Sequence, residues 1–379
     1  MLFKGFTKEN IKKKIKEFNP SITTIDKYII RKFIGTYFVA LLLIIGIVII
    51  FDLSEKVDNF VEKKAPLTEI IFKYYANFIP YFMNMFSPMF VFITVIFFTS
   101  KMAANSEIIA ILAGGISFKR LLWPYFVTSL FIFVFTLTLN LYVIPPCNKG
   151  RLEFENKYVK KPFENTNRNM HYQVDEGNFL YVQSFSIFNN TAYEFALETI
   201  DNQEITSKLT AQHAQWDTLK NCWTLNNYVL HKYDNGVESV KTGKLLDTTL
   251  AIDVSYFYRR KNSEEALSIG KLNKLIKAQK LRGDKTVQQS QIEKNTRFAL
   301  PFSAFILTLI GVSLASQKRR GGIGMNIGIG IALSFTYILF LQFARMFVYA
   351  GTFPPLVAMW IPNLVYLIVA IFLYRLAPK

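Results

Sequence analysis

Six long apolar runs dominate the chain and form two groups of three. They cover residues 33–51, 74–100, 121–144, 298–317, 321–344 and 356–374. Each run is long enough for a helix to cross the hydrocarbon core of a bilayer, which is about 30 Å thick. The pattern therefore predicts six transmembrane helices. No small-residue cleavage pattern follows the first run, so we do not expect a removable signal peptide.

Polar and small residues inside two of these runs predict helix packing. The second run carries Pro80, Pro88, Asn77 and Asn84. Prolines free backbone carbonyls, which in lipid must find partners within the protein, so this run predicts a kinked helix inside a bundle. Gly324 and Gly328 in the fifth run form a small-xxx-small pair that permits close helix approach. We expect this pair to pack within the chain rather than form a dimer face.

The segments between the runs differ in character. Residues 52–69 are of mixed charge and predict a loop, and the third run is expected to end at Pro145 and Pro146. Residues 149–261 alternate short apolar stretches with Asn, Asp and Gly, which is typical of strands in an all-β sandwich or barrel. Residues 264–282 have helical periodicity through Leu267, Leu272, Leu275 and Ile276, until Gly283-Asp284. We divide the chain at residues 1–148, 149–263 and 264–379.

The positive charge predicts membrane topology. The chain carries a formal charge of +17. Residues 1–32 hold nine Lys and Arg against three acids, whereas residues 149–261 are balanced. Basic residues beside spans mark the cytoplasmic side. Both termini are therefore predicted in the cytoplasm and the β domain outside, with no role in nucleic-acid binding. The stretch KENIKKKIKEF at residues 8–18 fits either an interfacial basic helix or a solvated tail.

Residues 101–120, KMAANSEIIAILAGGISFKR, join the second and third runs on the cytoplasmic side. Residues 107–116 are too short and too rich in glycine to cross the bilayer again. They predict a short helix against the membrane face, broken at Gly114-Gly115. Such a helix suits a part on which a soluble partner pushes.

Motifs for catalysis are absent from the sequence. It contains no GxxxxGK[ST], HExxH, CxxC or GxSxG motif, and His171, His213 and His231 lack metal-ligand spacing. We therefore expect no enzymatic activity, metal or cofactor. Charged residues within the spans are scarce, which argues against ion-coupled transport. The sequence leaves open whether Cys147 and Cys222 form a disulfide.

Several stretches together resemble one family, the LptF/LptG permeases of the lipopolysaccharide exporter. They are IDKYIIRKF at 25–33, SEIIAILAGGISFKRLLWP at 106–124, LNLYVIPPCNKGRLEFE at 139–155, RFALPFSAFILTLIGVSLA at 297–315 and PPLVAMWIPN at 354–363. Their order, and the layout of three spans, a β domain and three spans, are specific in combination. The resemblance covers nearly the whole chain.

This resemblance implies a six-helix inner-membrane permease with an inserted, periplasmic, jelly-roll-like β-sandwich. It implies pairing with a second permease as an LptF/LptG heterodimer, and docking of a cytoplasmic ABC ATPase similar to LptB. It also implies a bridge protein similar to LptC and LptA, to which lipopolysaccharide passes. Whether the chain is the F-like or the G-like subunit stays open.

The resemblance also implies site residues. Glu107 matches the acidic residue of the family's coupling segment. With it we expect an ATPase contact from Ser106, Ile108, Ile109, Ile111 and Leu112. At the outer end of the first span, some members carry a basic residue for lipid phosphate. Asp52 occupies that level here, and Lys56 lies one turn further out. Lys56 is therefore a candidate lipid contact, with an ordinary surface lysine as the favoured alternative.

Two other classes of function remain as alternatives. One is an ABC-associated mechanotransmitter, which usually places its outside domain after the first span rather than the third. The other is a membrane scaffold or sensor, which would not need kinked spans or a coupling-like helix.

Overall fold

The computed structural model describes residues 23–160, 168–201, 204–218, 220–234, 237–249, 254, 257, 263–281, 283–284, 286–317 and 322–377. The basic stretch at 8–18 lies outside them. The chain divides into two compact units. The first comprises Met1–Glu55, Phe78–Val143 and Asn295–Lys379, and the second comprises Lys56–Asn77 and Ile144–Lys294. Each unit is described by itself.

Eight helices are found in the described residues. α1 is Thr24–Glu62; α2 consists of Leu67–Glu69, π-helical Ile70–Tyr75 and Ala76–Ala104; α3 is Glu107–Ala113; α4 consists of Phe118–Thr138, π-helical Leu139–Val143 and Ile144–Tyr158; α5 is Ile269–Leu281; α6 is Val287–Ala315; α7 is Gly322–Tyr349; α8 is Pro355–Leu376.

Six of these helices are long and apolar enough to cross a membrane, counting only the part of the chain that the structure describes. They are α1, α2, α4, α6, α7 and α8, which confirms the six predicted spans. The most apolar stretches of α2 and α6 are 61% and 72% buried, against 22% for α1 and 28% for α7. The interior of the helical unit is therefore built around α2 and α6. The prediction that α2 packs inside a bundle is confirmed.

Two predicted interruptions of the helices are wrong. Residues 52–62 continue α1, and the turn before α2 is short, with a left-handed Lys64. Pro145 and Pro146 do not end α4, which continues to Tyr158. The reason is that the π-helical turn Leu139–Val143 precedes them, so both prolines fall in the first turn of the next α-helical segment, where a missing N–H is tolerated.

The predicted packing role of Gly324 and Gly328 is also wrong. A Cβ atom built on either glycine meets nothing within 4 Å. The close approaches in the bundle occur at Gly311 and Gly330, which lie against Val95 and Ile96 of α2.

The middle of the chain forms one antiparallel sheet of six strands in sequential order, β1 to β6. The strands are Met170–Asp175, Asn178–Ser186, Thr191–Asp201, Glu204–Asp217, Cys222–Asp234 and Val237–Thr248. Apolar residues on one face are paired across successive strands, for example Leu180 with Leu197, and Leu197 with Leu209. These cross-strand pairs make one side of the sheet a continuous core. The inserted β domain is thus confirmed.

The sheet curves around this apolar face. Phe185 on β2 and Trp223 on β5 have ring centroids only 6.5 Å apart. In a flat sheet, three strand spacings would separate their backbones by about 14 Å, so the two rings would meet only if the sheet curved. Phe257 stacks on Phe185 at 4.4 Å and meets Trp223 at 6.0 Å, so it closes the interior. The curvature lets the sheet and Phe257 enclose an apolar core.

The helix that the sequence predicts after the β domain, over residues 264–282, lies in the second unit. α5 begins later than the sequence suggests, after a 3₁₀ turn at Ser263–Ala266. Leu272 and Ile276 are buried as the periodicity predicts, and Gly283, with φ of 62°, follows the helix. Cys147 and Cys222 are both free thiols, so the disulfide left open by the sequence is absent.

Candidate functional site

The short helix predicted between the second and third spans is α3. Ser106 precedes it with a left-handed backbone (φ 61°), which separates α3 from the end of α2. Gly114 ends the helix by donating to the Ala110 carbonyl. Gly115 has φ of 86°, a conformation that favours glycine. The glycine pair therefore terminates α3 as predicted, because it permits the turn into α4.

The exposure of the predicted contact residues separates them into two groups. Ser106 and Ile109 are exposed, Ile109 at 52%, while Glu107 is half-buried. Ile111 and Leu112 are half-buried and pack on the helical core. Ile108 is 1% exposed and belongs to that core. Its side chain anchors α3, so it is unavailable for the partner contact expected from the sequence.

The carboxylate of Glu107 is held on the surface by two neutral donors. Tyr28 Oη donates to Oε2 at 3.3 Å, and Asn105 Nδ2 donates to Oε1 at 3.1 Å. Among the described residues, no salt bridge includes Glu107. The group therefore presents a negative charge that a cation from outside the chain could approach.

A buried ion pair lies beside α3, and sequence reasoning did not find it. The Arg120 guanidinium donates Nη1 to Asp26 Oδ1 at 2.8 Å and Nη2 to Asp26 Oδ2 at 2.6 Å. Asp26 is 2% exposed, and the Arg120 side chain is 24% exposed. The sequence indicated both residues only as charges next to spans. They lie 94 positions apart, so no local pattern connects them.

Lys56 is held by an aromatic cluster rather than extended into solvent. Its ammonium donates to Tyr74 Oη and lies 4.9 Å from the centre of the Tyr74 ring. Tyr74 is fully buried and contacts the rings of Phe60 and Phe154 at 5.9 and 5.1 Å. The favoured alternative, an ordinary surface lysine, is therefore not what the structure has. Lys56 is a partly buried, oriented cation in the last two turns of α1.

The described residues hold no group of three or more His, Cys, Asp or Glu side chains that could bind a metal ion. The fold consists of a bundle of six helices that are long and apolar enough to cross a membrane, with a β domain inserted between the third and the fourth. A short, partly exposed helix lies between the second and the third. These features define a multi-pass membrane protein with an inserted β domain.

The family follows from a comparison with protein-family models. The model described as "Lipopolysaccharide export system permease LptF/LptG" matches residues 27–376. The chain therefore belongs to the LptF/LptG family of lipopolysaccharide export permeases and is a multi-pass inner-membrane protein. No individual curated protein matches the chain.

Proposed function

We propose that this chain is one transmembrane permease subunit of an ABC exporter that extracts lipopolysaccharide from the inner membrane and passes it toward the outer membrane. The observation that carries the proposal is the family match across residues 27–376, which includes all six spans and the β domain. In this proposal the chain hydrolyses no nucleotide. A separate ATPase supplies the energy.

The orientation that we propose follows the basic residues. Lys27, Arg31, Lys101 and Lys119 flank the ends of α1, α2 and α4 that adjoin α3, so this side is the cytoplasmic one. Because three spans precede the β domain, it lies on the opposite, periplasmic side. Because six spans separate the two termini, both are cytoplasmic. The functional division that we propose keeps residues 1–148, 149–263 and 264–379, although its first boundary falls within the segment Ile144–Tyr158 of α4.

The proposed ATPase contact is centred on α3. Glu107 would meet a cation of the ATPase, and Ile109 would supply an exposed apolar contact, with Ser106, Ile111 and Leu112 at its margin. Ile108 would keep the helix seated on the core. Two copies of the ATPase would serve this chain and a second, homologous permease that encloses the lipid cavity with it.

The cost of exposing acyl chains to water supports a division of labour, in which the membrane helices expel the lipid and the β domain shields it. Transfer of an acyl chain into water costs about 0.8 kcal/mol for each CH₂ group, so a lipid with several chains does not leave a bilayer unaided. ATP-driven closure of a cavity would expel it. The β domain, whose curved sheet carries an apolar face, would then shield the chains from water.

The bridge protein that we propose would continue this sheet. β6 lies at one edge, and Val237, Val240 and Leu245 on it are more than half exposed. An edge strand offers unpaired backbone groups for strand addition by another sheet. A bridge protein with a similar β domain is the expected partner there.

The experiment that tests this function is co-purification from native membranes in mild detergent, with bound proteins and lipid identified by mass spectrometry. We expect an ABC ATPase, a second six-span permease and lipopolysaccharide. A monodisperse preparation that contains no ATPase would contradict the proposal, because the energy source would be missing.

A variant pair sharpens this experiment. Glu107→Lys is expected to lower ATPase recovery, because it places a cation where the proposed contact needs an anion. Glu62→Gln changes an exposed acid at the other end of α1 and is the control. Full ATPase recovery and full export with Glu107→Lys would remove Glu107 from the contact.

A further inference from the structure

Two polar contacts connect the first turns of α1 to both ends of residues 107–120, the segment that contains α3. Tyr28 Oη reaches Glu107 at the start of α3, and Asp26 reaches Arg120 just after it. The partners are 79 and 94 positions apart. The start of α1 therefore contacts the segment on either side of α3.

The Asp26 carboxylate is rigidly placed. Besides the two bonds from Arg120, its Oδ2 accepts the Thr23 backbone N–H at 2.8 Å and the Thr23 hydroxyl at 2.9 Å. The Asp26 N–H in turn donates to Thr23 Oγ1 at 3.4 Å, as in a helix-capping box. Four donors therefore hold the buried carboxylate of Asp26 in one orientation in the first turn of α1.

Arg120 stands where a cation is intrinsically unfavourable. It is in the first turn of α4, whose N-terminus carries a partial positive charge. Its own N–H donates to the Ser117 side chain at 3.3 Å, so the turn is ordered. The opposite charge of Asp26 offsets this position, and two parallel bonds fix the direction of the guanidinium. The pair therefore aligns α4 with α1 just after Gly114-Gly115.

From this geometry we infer that Asp26 and Arg120 are positioning residues of energy coupling. The pair makes the starts of α1 and α4 one rigid body with α3, so that a push on α3 moves α1 rather than bending the chain at Gly114-Gly115. The contact of Tyr28 with Glu107 is a second, exposed connection. This inference rests on the proposed function, since it assumes that the ATPase pushes on α3.

The test uses the reconstituted complex in lipid vesicles with the variants Arg120→Gln, Asp26→Asn and the two combined. The measurements are ATPase recovered per permease, ATP hydrolysed and lipopolysaccharide transferred. We expect ATPase recovery to stay near that of the wild type, while lipid transferred per ATP falls on the order of fivefold or more. The double variant should be no worse than the poorer single variant, because the two residues act as one unit.

Lys119→Gln is the matched control, because it removes one positive charge from the exposed neighbour of Arg120. It should transfer as much lipid per ATP as the wild type. Arg120→Lys keeps the charge but loses the two parallel donors, so its transfer should be intermediate. Unchanged transfer per ATP in Arg120→Gln, or additive losses in the double variant, would overturn the inference.

Hydrogen exchange separates this inference from the proposed function. In the permease alone, backbone exchange across residues 105–117 should rise in Arg120→Gln and not in Lys119→Gln. This readout needs neither ATPase nor export. If wild-type protein recruits no ATPase, the proposed function fails, whereas unchanged exchange in Arg120→Gln shows that the pair does not hold α3.

Discussion

Gly311 of α6 lies so close to Val95 of α2 that a Cβ atom on the glycine would stand 2.8 Å from Val95 Cγ1 and 3.2 Å from Val95 Cβ. Val95 is fully buried, and its β-branched side chain has little freedom to rotate at χ1. The two most buried spans therefore approach each other at a point where only hydrogen fits.

Gly311→Ala should destabilise the helical unit for this reason. We expect a loss of about 1–3 kcal/mol, typical of overpacking in a dense core. Thermal unfolding in detergent measures it. Gly324→Ala on α7 is the control, since a Cβ atom there meets nothing within 4 Å. Equal melting temperatures for the two variants would contradict the close approach.

Asn84 and Asn140 form a buried, reciprocal amide pair between α2 and α4. Asn84 Nδ2 donates to Asn140 Oδ1 at 2.8 Å, and Asn140 Nδ2 donates back at 3.2 Å. Asn84→Ala should lower stability by about 1–2 kcal/mol, because the buried amide of Asn140 loses its partner.

A double-mutant cycle checks this prediction. Once Asn84→Ala is present, Asn140→Ala should add little, since the shared bonds are already lost. Additive losses would show that the two amides do not depend on each other.

Phe185 and Phe188 test the curved sheet, because they are the same residue type three positions apart. Phe185 is buried and stacks on Phe257, whereas Phe188 is 86% exposed. Phe185→Ala should cost about 3–5 kcal/mol and open the β domain to limited proteolysis. Phe188→Ala should leave the cleavage rate unchanged, and similar sensitivity of both variants would argue against the enclosed core.

Lys56 is the candidate lipid contact. Lys56→Gln keeps a donor for Tyr74 Oη but removes the charge that would attract a lipid phosphate. We expect severalfold less lipopolysaccharide to co-purify per permease, as measured by mass spectrometry. Lys64→Gln, at an exposed lysine in the following turn, should not change it. Equal lipid recovery with both variants would remove Lys56 from the lipid site.

Sequence reasoning found the short helix α3 but not the orientation of its side chains. The glycine pair and the short apolar run located α3, because these signals are local. The four large apolar residues of this seven-residue helix cannot all face one side, however, and periodicity alone does not say which one meets the core. Only packing against α1, α2 and α4 decided that Ile108 faces inward and Ile109 outward.

The sequence by itself determined the class of this protein. Six runs without charge, a balanced and alternating middle and basic flanks predict spans, a β insert and topology, since each depends on the transfer energy of neighbouring residues. The tertiary structure decided which distant residues contact each other. Asp26 with Arg120, Lys56 with Tyr74 and Gly311 with Val95 join separate elements, and only the packed fold brings such distant residues into contact.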